Sequence, residues 1–522
     1  MSDHSQQLVG QSMMFRFTGP VFTDAAREAF REIRPGGVLF FADNITSREQ
    51  VHALTATLQA EARRLGMPPL LIAADQEGGI VSRLPADFVT MPGAMALAAD
   101  GDATDIETAA RLTAVQLREV GINTNFAPSI DVNNNPANPV IRTRAWGDTP
   151  ERVIAGMEAV LRGQEAGNVV TTVKHFPGHG DTRVDSHVGL PTIDADRERI
   201  DRIELAPFRA AIAAGVPAIM SAHIVFPALD PEFPATLSYT VLTDLLRGEL
   251  GFSGLIFTDA MDMRAITRAF GHAEAAIIAK LAGVDVLEAN ESLDDQRVRH
   301  EALVDALESG RISDQQFLPT IDRLAAVRQR YGIDGEPHPL PEQPASLRET
   351  ARAITARTVA HAGNAPFRPV DPAGAVIIDF QRSRTTEAED LIGRAGVLRN
   401  AVDAHLPGAS VVTLGQELTD DEIDRALDAA SGARTLVIMT RDASDLPRQV
   451  EIANRAIAAA PETTRVVHCP MRGPYDAGTL DRVDDWLFIF GDPALSIEAL
   501  AAALAGAGAP ATMPVRVPGL SA

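Results

Sequence analysis

The sequence has a single cysteine, Cys469, and only two lysines, Lys174 and Lys280, among its 47 basic residues. One cysteine excludes an internal disulfide and favours a reducing compartment. No run of about eighteen apolar residues occurs, so no membrane-spanning helix is predicted. The first residues also lack the basic segment and apolar run of a signal peptide. We therefore expect a cytoplasmic protein.

Basic residues are outnumbered, since 70 acidic side chains give a net charge of −23. This charge argues against nucleic acid or an anionic membrane as a partner. Because arginine replaces lysine almost everywhere, a remaining lysine is expected where a compact ammonium is needed. Lys174 is one of them, and it begins the segment "KHFPGHGDTRVDSH".

Short apolar runs alternate with amphipathic segments in the first 330 or so residues, which predicts a parallel sheet. So many repeats favour a (β/α)₈ TIM-type barrel, with a doubly wound open sheet as the alternative. Helices are predicted at 47–65 and 204–215. Candidate strands occupy residues 36–41, 70–75, 124–131, 169–176, 218–223, 255–260 and 284–289.

A segment rich in proline and glycine, residues 332–346, interrupts this pattern and is typical of a linker. We predict a catalytic barrel over 1–335, a linker over 336–350 and a smaller three-layer α/β domain over 351–522. A helix is expected at 347–363. Strands of the second domain are predicted at 375–380, 409–415, 435–440, 465–469 and 486–490. No carboxylate or histidine cluster is expected in this domain, so a structural role is favoured.

Polar residues recur at the carboxyl ends of the predicted barrel strands. In a barrel these ends meet on one face, where active sites are built. A single aspartate there usually caps a helix or forms a turn, but a repeated pattern favours a site. The residues in question are Asp75, Asp131, Lys174, His175, His223 and Asp259.

One interpretation of these side chains is a metal site. A barrel metallohydrolase would place His175 or His179, His223 and Asp259 around zinc, with Lys174 modified to bridge two ions. The His-x-His pair that usually accompanies such sites is absent from the early strands. We therefore expect no metal and no other cofactor.

A second interpretation is sugar chemistry, which needs a carboxylate nucleophile and a proton donor on opposite sides of the anomeric carbon. Asp259 follows an apolar strand and is the candidate nucleophile; Asp262, one helical turn on, is the ordinary alternative. Asp185 stands two positions before His187 and could orient its imidazole as the donor. Charged groups that could bind sugar hydroxyls are Asp75, Arg83, Arg144, Lys174 and His175.

At these residues the chain resembles glycoside hydrolase family 3, in its bacterial β-N-acetylglucosaminidase branch. The resemblance is carried by "DQEGGIVSRL", "NFAPSIDVNNNPANPVIRTRAWG", "KHFPGHGDTRVDSH", "AHIVFPALDPEFPATLS" and "GFSGLIFTDAMDM". It implies that Asp259 is the nucleophile, and that His187 with Asp185 is the acid/base dyad. It further implies that Asp75, Arg83, Arg144, Lys174 and His175 hold the N-acetylglucosamine, with Arg142 as the alternative to Arg144.

The resemblance implies a retaining exo-β-N-acetylglucosaminidase that acts through a covalent glycosyl-aspartate. Its expected substrate is a small carbohydrate, either a peptidoglycan-derived fragment or another amino-sugar oligosaccharide. A phosphorylase on the same site is one alternative. A metal-dependent barrel hydrolase and a non-catalytic sugar-binding protein are alternatives from other classes.

Overall fold

The computed structural model describes residues 3–183, 189–382 and 396–520. Its strands form an eight-stranded and a six-stranded sheet. The first eight strands are β1 (Met13–Phe15), β2 (Gly37–Phe40), β3 (Leu71–Ala74), β4 (Thr124–Asn125), β5 (Val170–Phe176), β6 (Ala218–Ser221), β7 (Leu255–Phe257) and β8 (Leu287–Glu288).

These eight strands form a closed parallel barrel. Neighbouring strands pair in chain order, and β1 pairs with both β2 and β8. A parallel bridge between Phe257 and Val286 links β7 to the residues that lead into β8. The predicted (β/α)₈ barrel is therefore confirmed, and the open doubly wound sheet is not the architecture.

The first barrel strand was not predicted from the sequence. Residues Met13–Phe15 follow helix α1 (Asp3–Gln11) almost directly. Three residues are too few to show the alternation by which a strand is recognised. Only pairing with β2 and β8 makes the segment a strand, and that pairing is a long-range property.

Helices alternate with the strands around the barrel, including the two predicted at 47–65 and 204–215. After α1 they are α2 (Asp24–Ile33), α3 (Arg48–Arg64), α4 (Ala94–Asp100), α5 (Ala103–Glu119), α6 (Pro150–Ala166), α7 (Arg197–Arg202), α8 (Ala206–Ala213), α9 (Arg264–Phe270), α10 (His272–Ala282), α11 (Leu293–Glu308) and α12 (Leu318–Arg330). A π-helix spans Thr240–Glu249, and a short 3₁₀ helix spans Arg142–Arg144. No helix in the described ranges is both long and apolar enough to cross a membrane.

Side chains along the barrel strands alternate between the barrel interior and the layer beneath the helices. Ala73, Phe257 and Val286 belong to the interior cluster, whereas Ala74 and Leu287 pack under the helices. Because the period is two, residues two positions after an inward residue also point inward. This alternation directs the polar residues that follow the strands toward the barrel mouth: Asp75, Asp259 and Glu288.

The second sheet belongs to a three-layer α/β fold, as predicted. Its strands are β9 (Ala360–Gly363), β10 (Ala375–Phe380), β11 (Ser410–Leu414), β12 (Thr435–Thr440), β13 (Arg465–Pro470) and β14 (Asp485–Phe488). Their order in the sheet is β11-β10-β12-β13-β14-β9, with β9 antiparallel at one edge. The helices are α13 (Ala345–Arg357), α14 (Val397–His405), α15 (Asp420–Ser431), α16 (Pro447–Ala459) and α17 (Ala494–Ala502).

The helix predicted at 347–363 ends earlier in the structure, so its predicted C-terminal end is wrong. Helix α13 stops at Arg357, and residues Ala360–Gly363 form the edge strand β9. The alanines of this stretch are good helix formers, but pairing with β14 overrides that preference. Between α12 and α13, residues 331–344 form neither helix nor strand.

The second sheet packs directly on the barrel. Met95 and Ala99 of α4 share an apolar cluster with Phe488 and Phe490, at and beyond the end of β14. The backbone of Thr512 donates to the carbonyl of Ala99 at 3.0 Å. Apolar burial and backbone bonds together hold the two parts in contact.

Candidate active site

An ion cluster lies at the carboxyl ends of β3 and β5. Lys174 Nζ is 2.6 Å from Asp75 Oδ1 and 2.8 Å from Glu77 Oε1. Arg83 Nη2 lies 3.4 Å from Asp75 Oδ2. Lys174 is only 3% exposed, so one ammonium serves two carboxylates with little access to water.

The cluster keeps its members charged. Burial alone would raise the pKa of Asp75 and Glu77, but the nearby cations outweigh it and hold both pKa values below their ordinary range. Burial alone would lower the pKa of Lys174, whereas the two carboxylates raise it above its usual value. Salt-bridged groups of this kind present fixed donors and acceptors, which suits them to bind sugar hydroxyls.

The structure separates the two arginines of "IRTRAWG". Arg144 donates from Nε and Nη2 to the two carboxylate oxygens of Glu77, at 2.9 and 2.8 Å. Its Nη2 also lies 3.4 Å from His175 Nε2. Arg142 points instead to Asp442, two residues after the end of β12, at 3.0 Å. Arg144 is thus the arginine that lies in the cluster.

His175 is oriented by Asp131. Its Nδ1 lies 2.7 Å from Asp131 Oδ2, while the backbone N–H of His179 and the hydroxyl of Ser129 also donate to that carboxylate. The peptide bond between Lys174 and His175 is cis. Because Nδ1 faces Asp131, Nε2 is the ring nitrogen that faces Arg144.

The first half of the histidine-rich loop lies against the segment after β4. A Cβ on Gly180 would stand 1.7 Å from the carbonyl oxygen of Val132, so no larger residue fits there. His179 is buried with Nδ1 2.9 Å from the Thr182 hydroxyl. Burial and the neighbouring His175 lower the pKa of His179 to about 4, so this ring is neutral at pH 7. His179 is therefore part of the scaffold.

The predicted dyad, Asp185 and His187, lies outside the described residues. The candidate nucleophile, Asp259, is half-buried two residues after β7. The backbone N–H of Ala260 donates to its Oδ1 at 2.8 Å. Asp262, the alternative carboxylate, is exposed.

His223 supports the Asp259 loop. Its Nε2 lies 2.9 Å from the carbonyl oxygen of Ala260, and its Nδ1 lies 2.9 Å from the Thr236 hydroxyl. Both ring nitrogens are thus engaged within the protein. In the described part of the chain, no three or more His, Cys, Asp or Glu residues are grouped as metal ligands, including those proposed for zinc.

Two carboxyl groups of the site were not predicted. Glu77 bridges Lys174 and Arg144, and Glu288 follows the inward residue Val286 at the end of β8. Burial, together with the charges of Asp75 and Asp259, raises the pKa of Glu288 well above its ordinary value. Glu77 stands in the quoted segment "DQEGGIVSRL", two residues after Asp75, so the alternation of a strand would have placed it beside the cluster.

The second domain contains a buried network of arginine and aspartate side chains that the sequence pattern did not reveal. Arg441 lies 2.6 Å from Asp379 and 2.8 Å from Asp492, and Arg472 lies 3.3 Å from Asp492. These residues are far apart in sequence and meet only because parallel strands end at one edge. Their carboxylates are paired with arginine, which indicates a structural network.

A barrel with a charged cluster and a half-buried aspartate at its carboxyl-end face is the architecture of a barrel enzyme. Residues 5–327 match the family model of the Glycosyl hydrolase family 3 N terminal domain. The chain belongs to glycosyl hydrolase family 3, so the predicted family, and with it the class of glycoside hydrolase, is confirmed.

Individual relatives refine this assignment. The chain is 38% identical over 336 residues to Beta-hexosaminidase A of Pseudoalteromonas piscicida, a match over 60% of this chain and 54% of that protein. It is 38% identical over 272 residues to a Beta-hexosaminidase of Pseudomonas aeruginosa, over 52% of this chain and 79% of the relative. The chain thus spans about half the length of the first relative.

A solved structure resembles the whole chain. The family 3 β-N-acetylglucosaminidase of Paenibacillus sp. str. FPU-7 superposes with a TM-score of 0.93 at 35% identity, over 98% of both chains. The similarity therefore includes the second sheet as well as the barrel.

Proposed function

We propose that the protein is a retaining exo-β-N-acetylglucosaminidase that removes a terminal N-acetylglucosamine from small carbohydrates. The observation that carries the proposal is the placement of Asp259 and the Asp75–Lys174–Glu77 cluster at the carboxyl ends of strands of one barrel. The relatives named for hexosaminidase and N-acetylglucosaminidase activity support the choice of sugar.

In the proposed reaction, Asp259 attacks the anomeric carbon and forms a glycosyl-aspartate. His187, oriented by Asp185, gives a proton to the departing oxygen and then takes one from the attacking water. Asp75, Arg83, Arg144, Lys174 and His175 bind the sugar ring. Because the raised pKa of Glu288 favours its neutral form, this carboxyl adds little negative charge beside Asp259.

The test is release of p-nitrophenol from the β-N-acetylglucosaminide and from the β-glucoside, with Asp259→Asn alongside. We expect turnover of the acetylglucosaminide and a loss of about a thousandfold or more in the variant, since the covalent step is removed. Asp262→Asn is the matched control and should stay within about tenfold of the wild type. Equal loss in both variants, or turnover of the glucoside alone, would contradict the proposal.

Two further measurements distinguish this function from a phosphorylase and from a metal-dependent hydrolase. A rate that rises with phosphate, accompanied by the sugar 1-phosphate as product, would favour phosphorolysis. Loss of activity on treatment with a chelator, and its return with zinc, would favour the metal-dependent hydrolase.

We further propose a cytoplasmic role on peptidoglycan fragments, with the resemblance of the loop "KHFPGHGDTRVDSH" as support. An N-acetylglucosaminyl-anhydromuramyl substrate should then show a higher kcat/KM than chitobiose. The opposite order would point to chitin fragments.

A further inference from the structure

Arg142 of the barrel forms ion pairs with two aspartates of the second domain. Its side chain is buried, with Nη1 3.0 Å from Asp442 Oδ1 and Nη2 paired with Asp445. Burial alone would lower the pKa of Arg142, but the two aspartates raise it, so the guanidinium stays charged. A charged group buried in this way is held in one place by its partners.

The backbone of Arg142 belongs to the same turn as Arg144. The 3₁₀ helix consists of Arg142–Arg144, in which Arg144 N–H donates to Ile141 O at 2.8 Å. Asn138 accepts from the Arg142 Nε at 3.1 Å, so the turn is fixed on its barrel side as well. Arg142 has a φ of +42°, a conformation that residues with a side chain adopt only when their contacts enforce it.

The aspartate that Arg142 contacts on the second domain is itself held by further ion pairs. Asp442 also faces Arg382 at 3.3 Å and Arg472 at 3.6 Å, and Arg472 lies in the network with Asp492. A shift of Arg142 would therefore require this network to shift too. From Asp442 the contacts lead through Arg142 and the 3₁₀ turn to Arg144, and then to Glu77 and Lys174.

We propose that Arg142 is a positioning residue, through which the second domain holds Arg144 in the sugar-binding cluster. The inference rests on the proposed function, because it assigns Arg144 to the sugar. It gives the second domain a direct effect on catalysis by the barrel, in addition to its packing. An ion pair that only joined the domains would affect stability but not sugar affinity.

The chain offers a matched control for that distinction. Arg357 of α13 pairs with Asp105 of α5, which is also an ion pair between the barrel and the segment beyond it. Neither residue contacts Arg144, Glu77 or Lys174 among the described contacts. Arg357→Ala should therefore lower the melting temperature without changing the KM.

The experiment compares Arg142→Gly, Asp442→Asn, the double variant and Arg357→Ala. Glycine at 142 accepts the positive φ, so the turn is kept while the contact to Asp442 is lost. We expect the KM for the acetylglucosaminide, and the inhibition constant of free N-acetylglucosamine, to rise on the order of tenfold in both single variants. The KM of the double variant should be no higher than that of Arg142→Gly, since both changes remove the contact between Arg142 and Asp442.

A KM for Arg142→Gly within twofold of that for Arg357→Ala would overturn the proposal, as would additive effects in the double variant. Failure of the proposed function has a different signature, namely no turnover by the wild type. In that case, calorimetric binding of N-acetylglucosamine to the wild type and to Arg142→Gly still tests the positioning role. Equal affinities would then refute it.

Discussion

Lys174→Met should destabilise the barrel strongly, because it leaves two carboxylates facing each other without their shared cation. The ammonium lies 2.6 Å from Asp75 and 2.8 Å from Glu77 and is 3% exposed. Removal of one partner from a buried ion pair costs about 3–5 kcal/mol. At about 2–4 °C per kcal/mol, the melting temperature should fall by about 6 to 20 °C.

The loss of stability in Lys174→Met should depend on pH, and the direction of this dependence follows from the pKa values of the two carboxylates. In the wild type the pKa values of Asp75 and Glu77 are lowered, so their contribution to stability is present above the unfolded pKa of about 4 and is lost as the pH falls. Without Lys174 these pKa values rise, and the folded variant takes up protons more readily. The difference in stability between variant and wild type should therefore narrow as the pH falls toward and below about 4.

Lys280, the other lysine, provides the control. It is also buried, but it donates to neutral oxygens, those of Val284 at 3.0 Å and Thr320 at 3.0 Å. Burial lowers its pKa to about 7, so the wild type gains stability as the pH rises from about 7 to 10.5. Lys280→Met lacks this gain, so its loss of stability relative to the wild type should increase as the pH rises.

The assay is thermal and urea unfolding of the wild type and both variants between about pH 3 and pH 10. If Lys174→Met melts within about 2 °C of the wild type at pH 7, or its deficit grows on acidification, the description of the cluster as a charge-paired unit is refuted. Equal pH dependence of the two lysine variants would refute it as well.

Two further predictions concern titration of groups near the site. The pKa of Glu288 is raised in the folded state, so the wild type loses stability as the pH rises above the pKa of this group in the unfolded chain. Glu288→Gln should therefore gain stability relative to the wild type in urea unfolding at alkaline pH. Its kcat/KM should stay within about threefold of the wild-type value at neutral pH. A tenfold loss of kcat/KM would show that the neutral amide cannot replace this carboxyl. The pKa of His179 is about 4 in the folded state and about 6.5 in the unfolded state. The wild type should therefore lose on the order of 3 kcal/mol of unfolding free energy between pH 6.5 and pH 4, and His179→Gln should lack this dependence on pH. An unchanged pH dependence in the variant would contradict a buried neutral ring.

Much of the fold was predictable because its strands are short buried apolar runs that strongly indicate parallel sheet. The runs at 36–41 and 255–260 contain β2 and β7, and the five predicted strands of the second domain correspond to β10–β14. The exceptions, β1 and β9, are short strands at places where only a distant partner decides the conformation. Local pattern carries no information about such partners.

The site was predictable to a similar extent. The strand-end rule identified Asp75, Lys174 and His175, which the structure brings together around Asp131 and Glu77. Roles for these residues, and for Asp185, His187 and Asp259, stay predictions until measured. The arginine–aspartate network of the second domain was not predictable, since Asp379, Arg441 and Asp492 meet only after the sheet has formed.

The packing of α4 against β14 limits how far the molecule can be treated as modular. A cut in the segment 331–344 would yield a barrel whose Met95 and Ala99 lose their apolar cover, and whose Arg142 loses Asp442. Such a fragment would expose an apolar patch beside an unpaired cation, a combination that favours aggregation. Engineering of this enzyme for a smaller catalyst should therefore begin by redesigning that face of the barrel.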